Sequence, residues 1–488
     1  MRNRNRKFKI IWPQFLLRLF LLVIFIVLIW GGYLFFKLYS FEKTILLDND
    51  QNQTSTILST AKEFVTNEKK VLKGENRERI NILLLGMGGE GHSGQYLTDT
   101  IILASINPIN YKTALISIPR DLYVEIPESY VYTKINAVYA YGKNALEKEN
   151  KSTLEPIEKT VEKITGQPVD YYLTIDFEGF KQVIDELGGI IIQVENDIID
   201  TQYPGPGKSY ETFKIDQGTH LVDGDVALKY ARVRHVAGGD FARLERQQEI
   251  ISAAKRRALS IENFVNPIKF ASLLDVAKEN IQTNIQLDEI PAFIKLFKNI
   301  NTYEMNTKVL DAWSSDSLLA VSHVLLGNVN AFILVPRTGN YKEIQNLVTN
   351  IFDLEKIEKE KIEINKEAAK IILISENSEN ESQIKNLFKK MGYIIKLEKD
   401  SAIAQQCQNE TKIFNQKSKK YYTLNDLATK FNVAIQESSF ADLSADIILC
   451  FPVKTLENLG KQIDQTNVDE FEGGLILDDD GNILYNKD

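Results

Sequence analysis

Two cysteines in 488 residues, Cys407 and Cys450, are too few for a disulfide scaffold, so stability must come from packing. Histidine is equally sparse. His92, His220, His235 and His323 share no metal-ligand spacing, which excludes a zinc site of the HExxH or CxxC kind. Positive charge is not in excess: Lys plus Arg number 58 against 66 Asp plus Glu, a net charge of −8. A dedicated nucleic-acid binder carries the opposite balance, so no nucleic-acid partner is expected. No GxSxG or Ser-His-Asp pattern occurs, and there is no internal repeat. The rest is ordinary for globular protein, with 44% hydrophobic and 25% charged residues, which excludes wholesale disorder. At about 100–200 residues per domain, the length leaves room for two to four domains.

The longest apolar run, Leu19–Phe36 (LFLLVIFIVLIWGGYLFF), is uncharged over eighteen residues and long enough, with its flanks, to span a bilayer. Trp12, Trp30 and Tyr33 sit near its ends, where amphipathic rings favour the interface. Arg2, Arg4, Arg6, Lys7 and Lys9 precede it, so the expected topology is N-terminus in and the bulk of the chain outside. A cleaved signal peptide would have a shorter apolar core and a small-residue cleavage site, which Lys37–Glu42 does not offer. The expected organisation is a cytoplasmic tail 1–9, a single transmembrane helix 10–37, a stalk 38–78, a main domain 79–353, a charged linker 354–367, a small C-terminal α/β domain 368–455 and an acidic tail 456–488.

From Arg79 onward, short β-type runs (Ile80–Leu85, Thr100–Ile106, Thr113–Ile118, Val169–Ile175, Ile190–Val194) alternate with helical periods (Leu154–Ile164, Phe177–Leu187, Val226–Arg232, Phe241–Leu259, Pro267–Glu279). Strands at Thr307–Asp311 and Ala331–Val335 and a helix at Tyr341–Phe352 follow. Such alternation predicts an α/β fold with a mixed β-sheet flanked by helices. In the tail, Asp478–Asn482 lacks the spacing and distal Glu of a calcium loop and reads as a hairpin turn.

Gly86-Met-Gly88-Gly-Glu-Gly91 fits GxGxxG formally, but no helix follows, so it reads as a loop near a site, not a dinucleotide fingerprint. Asp99 and Asp121 carry more. They flank two strands joined by the turn cluster Asn107–Lys112 and are equidistant from Asn110. A hairpin centred there sets the two carboxylates nearly opposite each other, as solvated strand-end acids or as oxygen ligands of a hard divalent cation.

Arginine usage points the same way. The chain has 14 Arg against 44 Lys, yet six of the 14 lie between Arg232 and Arg257. Concentrating Arg where Lys is the habit suits bidentate binding of phosphate. Arg232 and Arg234 alternate on a segment leaving a helix, and Arg243, Arg246 and Gln247 share one face of the next, with Asp240 as its N-cap or as partner of an Arg. Arg120 is a further phosphate candidate, whereas Arg256 and Arg257 read as a solvated helix face. Tyr171, Tyr172, Phe177 and Phe180 are candidates to line an apolar groove, and Cys450 reads as core, not nucleophile.

These segments together resemble the LytR-CpsA-Psr family of membrane-anchored cell-wall enzymes. The resemblance rests on Leu97-Thr-Asp-Thr-Ile, Ser117-Ile-Pro-Arg-Asp121, Lys134-Ile-Asn-Ala-Val-Tyr-Ala-Tyr-Gly142, Gly218–Arg234 and Asp240–Gln248, and covers roughly 79–353. Ala369–Pro452 is similar, more weakly, to the LytR-type C-terminal domain of some members. The resemblance implies a phosphotransferase that joins a glycopolymer, carried on a polyprenyl pyrophosphate, to peptidoglycan through a phosphodiester. It further implies Mg²⁺ (or Mn²⁺) on Asp99 and Asp121, pyrophosphate on Arg120, Arg232, Arg234, Arg243, Arg246 and Gln247, and catalysis by Asp99, Asp121 and Arg120. Either Asp99 or Asp121 serves as the base. Hydrolysis of the lipid pyrophosphate, or a non-enzymatic membrane-anchored scaffold or regulator, are the alternatives. One departure stands out: where many members carry an Arg shortly before the first Asp, this chain has Tyr96, Leu97 and Thr98.

Overall fold

The computed structural model describes residues 70–455, apart from 93, 147–151, 206–208, 234–235, 237–238, 259–280, 302–303, 315, 327–328, 375–380, 439, 441–442 and 454, together with 476–477 and 483–484. The expected anchor 10–37, the expected helix 267–279 and most of the stalk and acidic tail lie outside these residues. No helix among the described residues is long and apolar enough to cross a membrane.

The chain opens with β1 (Ile80–Met87), β2 (Thr98–Ile106) and β3 (Thr113–Ser117), then a hairpin of β4 (Tyr123–Ile126) and β5 (Val131–Lys134). Helix α1 (Glu155–Thr165), β6 (Tyr171–Asp176) and α2 (Phe177–Glu186) follow. Next come β7 (Ile190–Val194), β8 (Ile198–Pro204), β9 (Tyr210–Ile215), β10 (Gly218–Val222), α3 (Gly224–Arg232) and α4 (Gly239–Ala258). The domain ends with β11 (Ile281–Thr283), α5 (Ile290–Asn299), β12 (Asn306–Val309), the hairpin β13 (Leu319–Leu326) and β14 (Val329–Pro336), and α6 (Lys342–Thr349). The central sheet has the order β11-β6-β1-β2-β3-β12, with β6–β1 and β3–β12 parallel and the other pairs antiparallel. This is the mixed sheet flanked by helices that the sequence predicts.

Strand β1 reads INILLLGM with no polar alternation because both its faces are covered. Leu83, Leu85 and Met87 pack with Ile157 and Val161 of α1 and Ile344 and Val348 of α6. On the other face Ile80 and Ile82 meet Phe293 and Leu296 of α5. A second core joins β7 and β10 to α2, α3 and α4 through Ile184, Ile190, Ile192, Tyr230 and Ile250. The folded domain begins before the expected boundary at 79. Leu72 is buried, the Lys73 amide donates to the Tyr171 hydroxyl at 2.8 Å, and Arg77 pairs with Asp170.

The expected linker is a helix, α7 (Leu354–Glu367), whose charges recur at helical spacing, as in Glu355–Lys359 at 3.6 Å. Beyond it lie β15 (Ile371–Ile374), α8 (Glu381–Lys390), β16 (Ile395–Glu398), α9 (Ser401–Gln405), β17 (Lys412–Asn415), α10 (Tyr421–Phe431), β18 (Ile435–Glu437) and β19 (Ile447–Cys450), with sheet order β16-β15-β19-β17-β18. In the tail, Ile476–Leu477 pairs antiparallel with Ile483–Leu484, the pairing expected around a turn at Asp478–Asn482.

The cysteines correct the expectation of packing alone. Cys407 and Cys450 are joined, tying the end of α9 to β19 across a sequence separation of 43. Closing a loop of that length restricts the unfolded chain by about 4 kcal/mol in the chain-entropy model. Reduction, or replacement of both cysteines by alanine, is therefore expected to lower the unfolding midpoint of the C-terminal domain by roughly 15–30 °C. Calorimetry with and without dithiothreitol checks this; an unchanged trace means the bond contributes nothing.

Candidate functional site

Asp99 is the second residue of β2, while Arg120 and Asp121 follow Pro119 just past β3, so neighbouring strands bring them to one end of the sheet. The β2–β3 register pairs Ile102 with Ser117. Extended outward, it sets Asp99 across from Arg120, one residue short of the expected Asp121. The consequence is electrostatic. Arg120 Nη1 donates to Asp99 Oδ1 at 2.9 Å, its Nε lies 3.5 Å from Asp121 Oδ2, and Lys134 Nζ donates to Asp121 Oδ1 at 2.6 Å. The like-charge repulsion of two neighbouring acids is thus relieved by a guanidinium between them and an ammonium beyond.

Lys134 was not singled out among the site residues from sequence. The β4–β5 hairpin pairs it with Tyr123, two positions after Asp121, and only that pairing returns it to the acids. The segment is held by its backbone as well. The Asp121 carbonyl accepts from the Leu334 amide at 2.9 Å, and the Leu122 carbonyl from the Ile135 amide at 2.8 Å.

Helix α4 carries the second half of the site. Arg243, 6% exposed, shares a small cavity with Arg120, Asp121 and Asp311. One turn on, Gln247 is also buried, and its Oε1 has no hydrogen-bond partner among the described residues. Arg232, the last residue of α3, lies with its guanidinium 4.3 Å from the Phe177 ring centroid and donates to the Tyr203 hydroxyl at 3.3 Å. Helix α3 is capped by Asp223, whose carboxylate accepts from the Val226 amide, and Arg232 closes its other end. Arg234 and the Asp240 side chain lie outside the described residues.

Arg246 does not join this group. Its Nε donates to the Tyr230 carbonyl at 3.0 Å and its Nη2 to the Val233 carbonyl, so a buried guanidinium closes the C-terminal end of α3. Spacing placed it on the face of Arg243 and Gln247, but the end of α3 packs against the flank of that face. Arg246→Met is expected to cost about 2–3 kcal/mol of stability, because bonds from a charged donor to buried carbonyls are lost, while the affinity for phosphate stays as it is. Denaturant unfolding beside a pyrophosphate titration separates the two. Arg256 is exposed as expected, but Arg257 Nε donates to the Leu187 carbonyl at 2.9 Å.

Between the sheet and α2–α4 lies an apolar cavity of about 290 Å³, with Leu84, Gly86, Leu173 and Ile175 as its floor and Phe177, Phe180, Ile250 and Ala254 among its walls. Arg232 and Gln247 belong to the same lining. Gly86 matters here because a Cβ on it would stand 3.0 Å from Thr100 Cβ, so a side chain would crowd the floor. Of the four aromatics expected to line a groove, Phe177 and Phe180 do. Tyr171 instead stacks edge-on to Phe293 and donates to Glu289 at 2.6 Å, and Tyr172 lies in the opposite core.

The glycine-rich loop runs over this end of the cavity, as expected of a loop near a site. Gly89, at φ 81°, sits against Asp176, the N-cap of α2, and His92 meets Phe177 edge-on at 5.2 Å. Burial, and then the nearby charges of Arg232 and Lys181, push the His92 imidazole below its usual range, so it is neutral at pH 7. Helix α4 therefore links two compartments: Arg243 faces the acids, and Gln247, one turn along, faces the apolar cavity.

Residues 40–329, more than half of the chain, match the LytR_cpsA_psr family. The polyisoprenyl-teichoic acid–peptidoglycan teichoic acid transferase TagV of Bacillus subtilis is 30% identical over 340 residues, 69% of this chain and 78% of that one. The transferase TagU of Enterococcus faecalis, of the same description, is 30% identical over 226 residues, 46% of this chain and 67% of its own. The regulatory protein MsrR of Staphylococcus aureus is 33% identical over 213 residues, 43% of this chain and 58% of its own. The crystal structure of B. subtilis TagV superposes with a TM-score of 0.43 at 28% identity, covering 57% of this chain and 98% of that chain. With more than half its length matched, and a relative aligned along more than two thirds of both chains, the chain belongs to the LytR-CpsA-Psr family.

Proposed function

We propose that this chain is a phosphotransferase that moves a glycopolymer from a polyprenyl-pyrophosphate lipid onto peptidoglycan through a phosphodiester bond. The observation that carries the reading is the pairing of compartments: an apolar cavity rimmed by Arg232 and Gln247, next to two acids and two cations. A lipid pyrophosphate has the same two parts, an apolar chain and a compact polyanion. The relatives TagU and TagV, which are named as teichoic acid transferases, support the same chemistry.

Phosphoryl transfer asks mainly for positioning and charge neutralisation. Arg120 and Arg243 border Asp121 and supply bidentate donors for the pyrophosphate oxygens, while Arg232 and Gln247 hold its lipid-facing side. The acids fit a divalent cation. They are hard oxygen donors that face one shared guanidinium at one end of the sheet. Two carboxylates completed by water and phosphate oxygens is how Mg²⁺ is usually held. Asp99 and Asp121 would hold it, and it would neutralise charge on the phosphates. The more exposed acid, Asp99, at 39% against 14% for Asp121, is the better placed to take a proton from an incoming sugar hydroxyl.

We place the folded part outside the membrane, tethered by the N-terminal run Leu19–Phe36. The Cys407–Cys450 bond supports that side, because disulfides persist in oxidising compartments. The test is the full chain in vesicles with a polyprenyl-pyrophosphoryl sugar, with and without Mg²⁺ and peptidoglycan fragments. Mg²⁺-dependent release of lipid phosphate with sugar phosphate on the acceptor supports transfer. Release without acceptor labelling indicates hydrolysis, and binding without turnover indicates a scaffold or regulator, as the relative MsrR is named.

A further inference from the structure

The C-terminal domain is docked on the main domain through a buried polar cluster. Arg337, just past β14, forms a two-pronged pair with Glu343, at 2.8 Å from Nε and 2.7 Å from Nη2, and both residues are less than a tenth exposed. From the other domain, Lys430 approaches Glu343 at 4.0 Å and pairs with Asp426, which accepts from the Tyr393 hydroxyl. Two main-chain carbonyls complete the contact. Lys430 O accepts from Asn340 Nδ2 at 3.0 Å, and Lys390 O from Arg337 Nη1 at 3.5 Å.

Strand β14 leads from this cluster to the acids. It pairs with β13 in a two-stranded hairpin outside the central sheet, so the ladder of that sheet does not fix it. Three residues before Arg337, about 10 Å along a strand, the Leu334 amide holds the Asp121 carbonyl, and Leu334 bridges Leu122. We infer that the C-terminal domain braces the acid site through β14, with Arg337 as the positioning residue that clamps the strand. The effect on turnover rests on the transferase reading; the mechanical coupling does not.

The test uses the full chain with Asn340→Ala/Lys430→Met, which removes two cross-domain contacts and leaves Arg337–Glu343 intact. Arg337→Met/Glu343→Leu is the second variant, since exchanging both charges leaves no lone buried ion. The expected result is exchange of the Leu334 amide about tenfold faster, an unchanged Leu103 amide in β2, and kcat lowered about tenfold at the same KM for lipid substrate. Lys430→Arg, which keeps a cation beside Glu343, is expected to behave as wild type. Unchanged Leu334 exchange, or faster exchange with unchanged kcat, overturns the proposal. So does a fall in kcat that comes with loss of Leu103 protection, which is general destabilisation. An inactive wild type overturns the transferase reading instead, and Leu334 exchange then decides alone whether the brace exists.

Discussion

Asp121→Ala is expected to lower turnover about 10³-fold while the protein stays folded, the scale seen when one preorganised electrostatic contact to a transition state is removed. The side chain is part of every electrostatic feature of the acid site: it receives Lys134, shares Arg120 with Asp99, and is one of two carboxylates suited to Mg²⁺. The fold depends little on that side chain. What ties this position to β14 is its main-chain carbonyl, which alanine keeps. Lys134, left behind, is 27% exposed and can be hydrated, so the loss of stability stays near 1 kcal/mol. Thermal unfolding and lipid-phosphate release, measured across a Mg²⁺ titration, check both halves. A variant with the wild-type rate removes the acids from the mechanism. A variant whose rate recovers at high Mg²⁺ shows that the lost oxygen served the cation.

Five of the six strands of the central sheet were legible because period-2 and all-apolar runs such as Ile80–Leu85 have few other readings, whereas β11, three residues long, carries no such run. The site residues on regular elements were legible for the same reason: Arg243 and Gln247 lie where helical spacing places them. What spacing cannot give is rotation and register. The β2–β3 register leaves the two acids nearly opposite, as expected, but sets Arg120 directly across from Asp99, which spacing alone does not give. Arg246 has the right spacing but turns toward carbonyls at the end of α3, a contact between elements that no local pattern encodes. Lys134 needed the β4–β5 pairing, and β4 and β5 are four residues each, too short to signal themselves. The disulfide was missed because two cysteines 43 apart carry no spacing signature; only the sheet order brings β19 to the end of α9.

Filling the apolar cavity is expected to have the second large effect. Ala254 lines it two turns of α4 beyond Gln247, about 10 Å from the phosphate-facing end. A phenylalanine there occupies space that a prenyl unit needs without touching Arg232 or the acids. Each buried methylene contributes about 0.8 kcal/mol, so expelling most of one five-carbon unit costs roughly 3 kcal/mol, on the order of a 100-fold rise in KM. Because about 290 Å³ is already empty, the larger ring enters without the strain that overpacking a filled core brings, and stability holds or rises slightly. A substrate with a single prenyl unit is the discriminating comparison. If the cavity binds the lipid, Ala254→Phe impairs the long-chain substrate and spares the short one, since only the long chain reaches past Gln247. Equal loss on both means the substitution has disturbed the phosphate site through α4, and no loss on either places the lipid elsewhere.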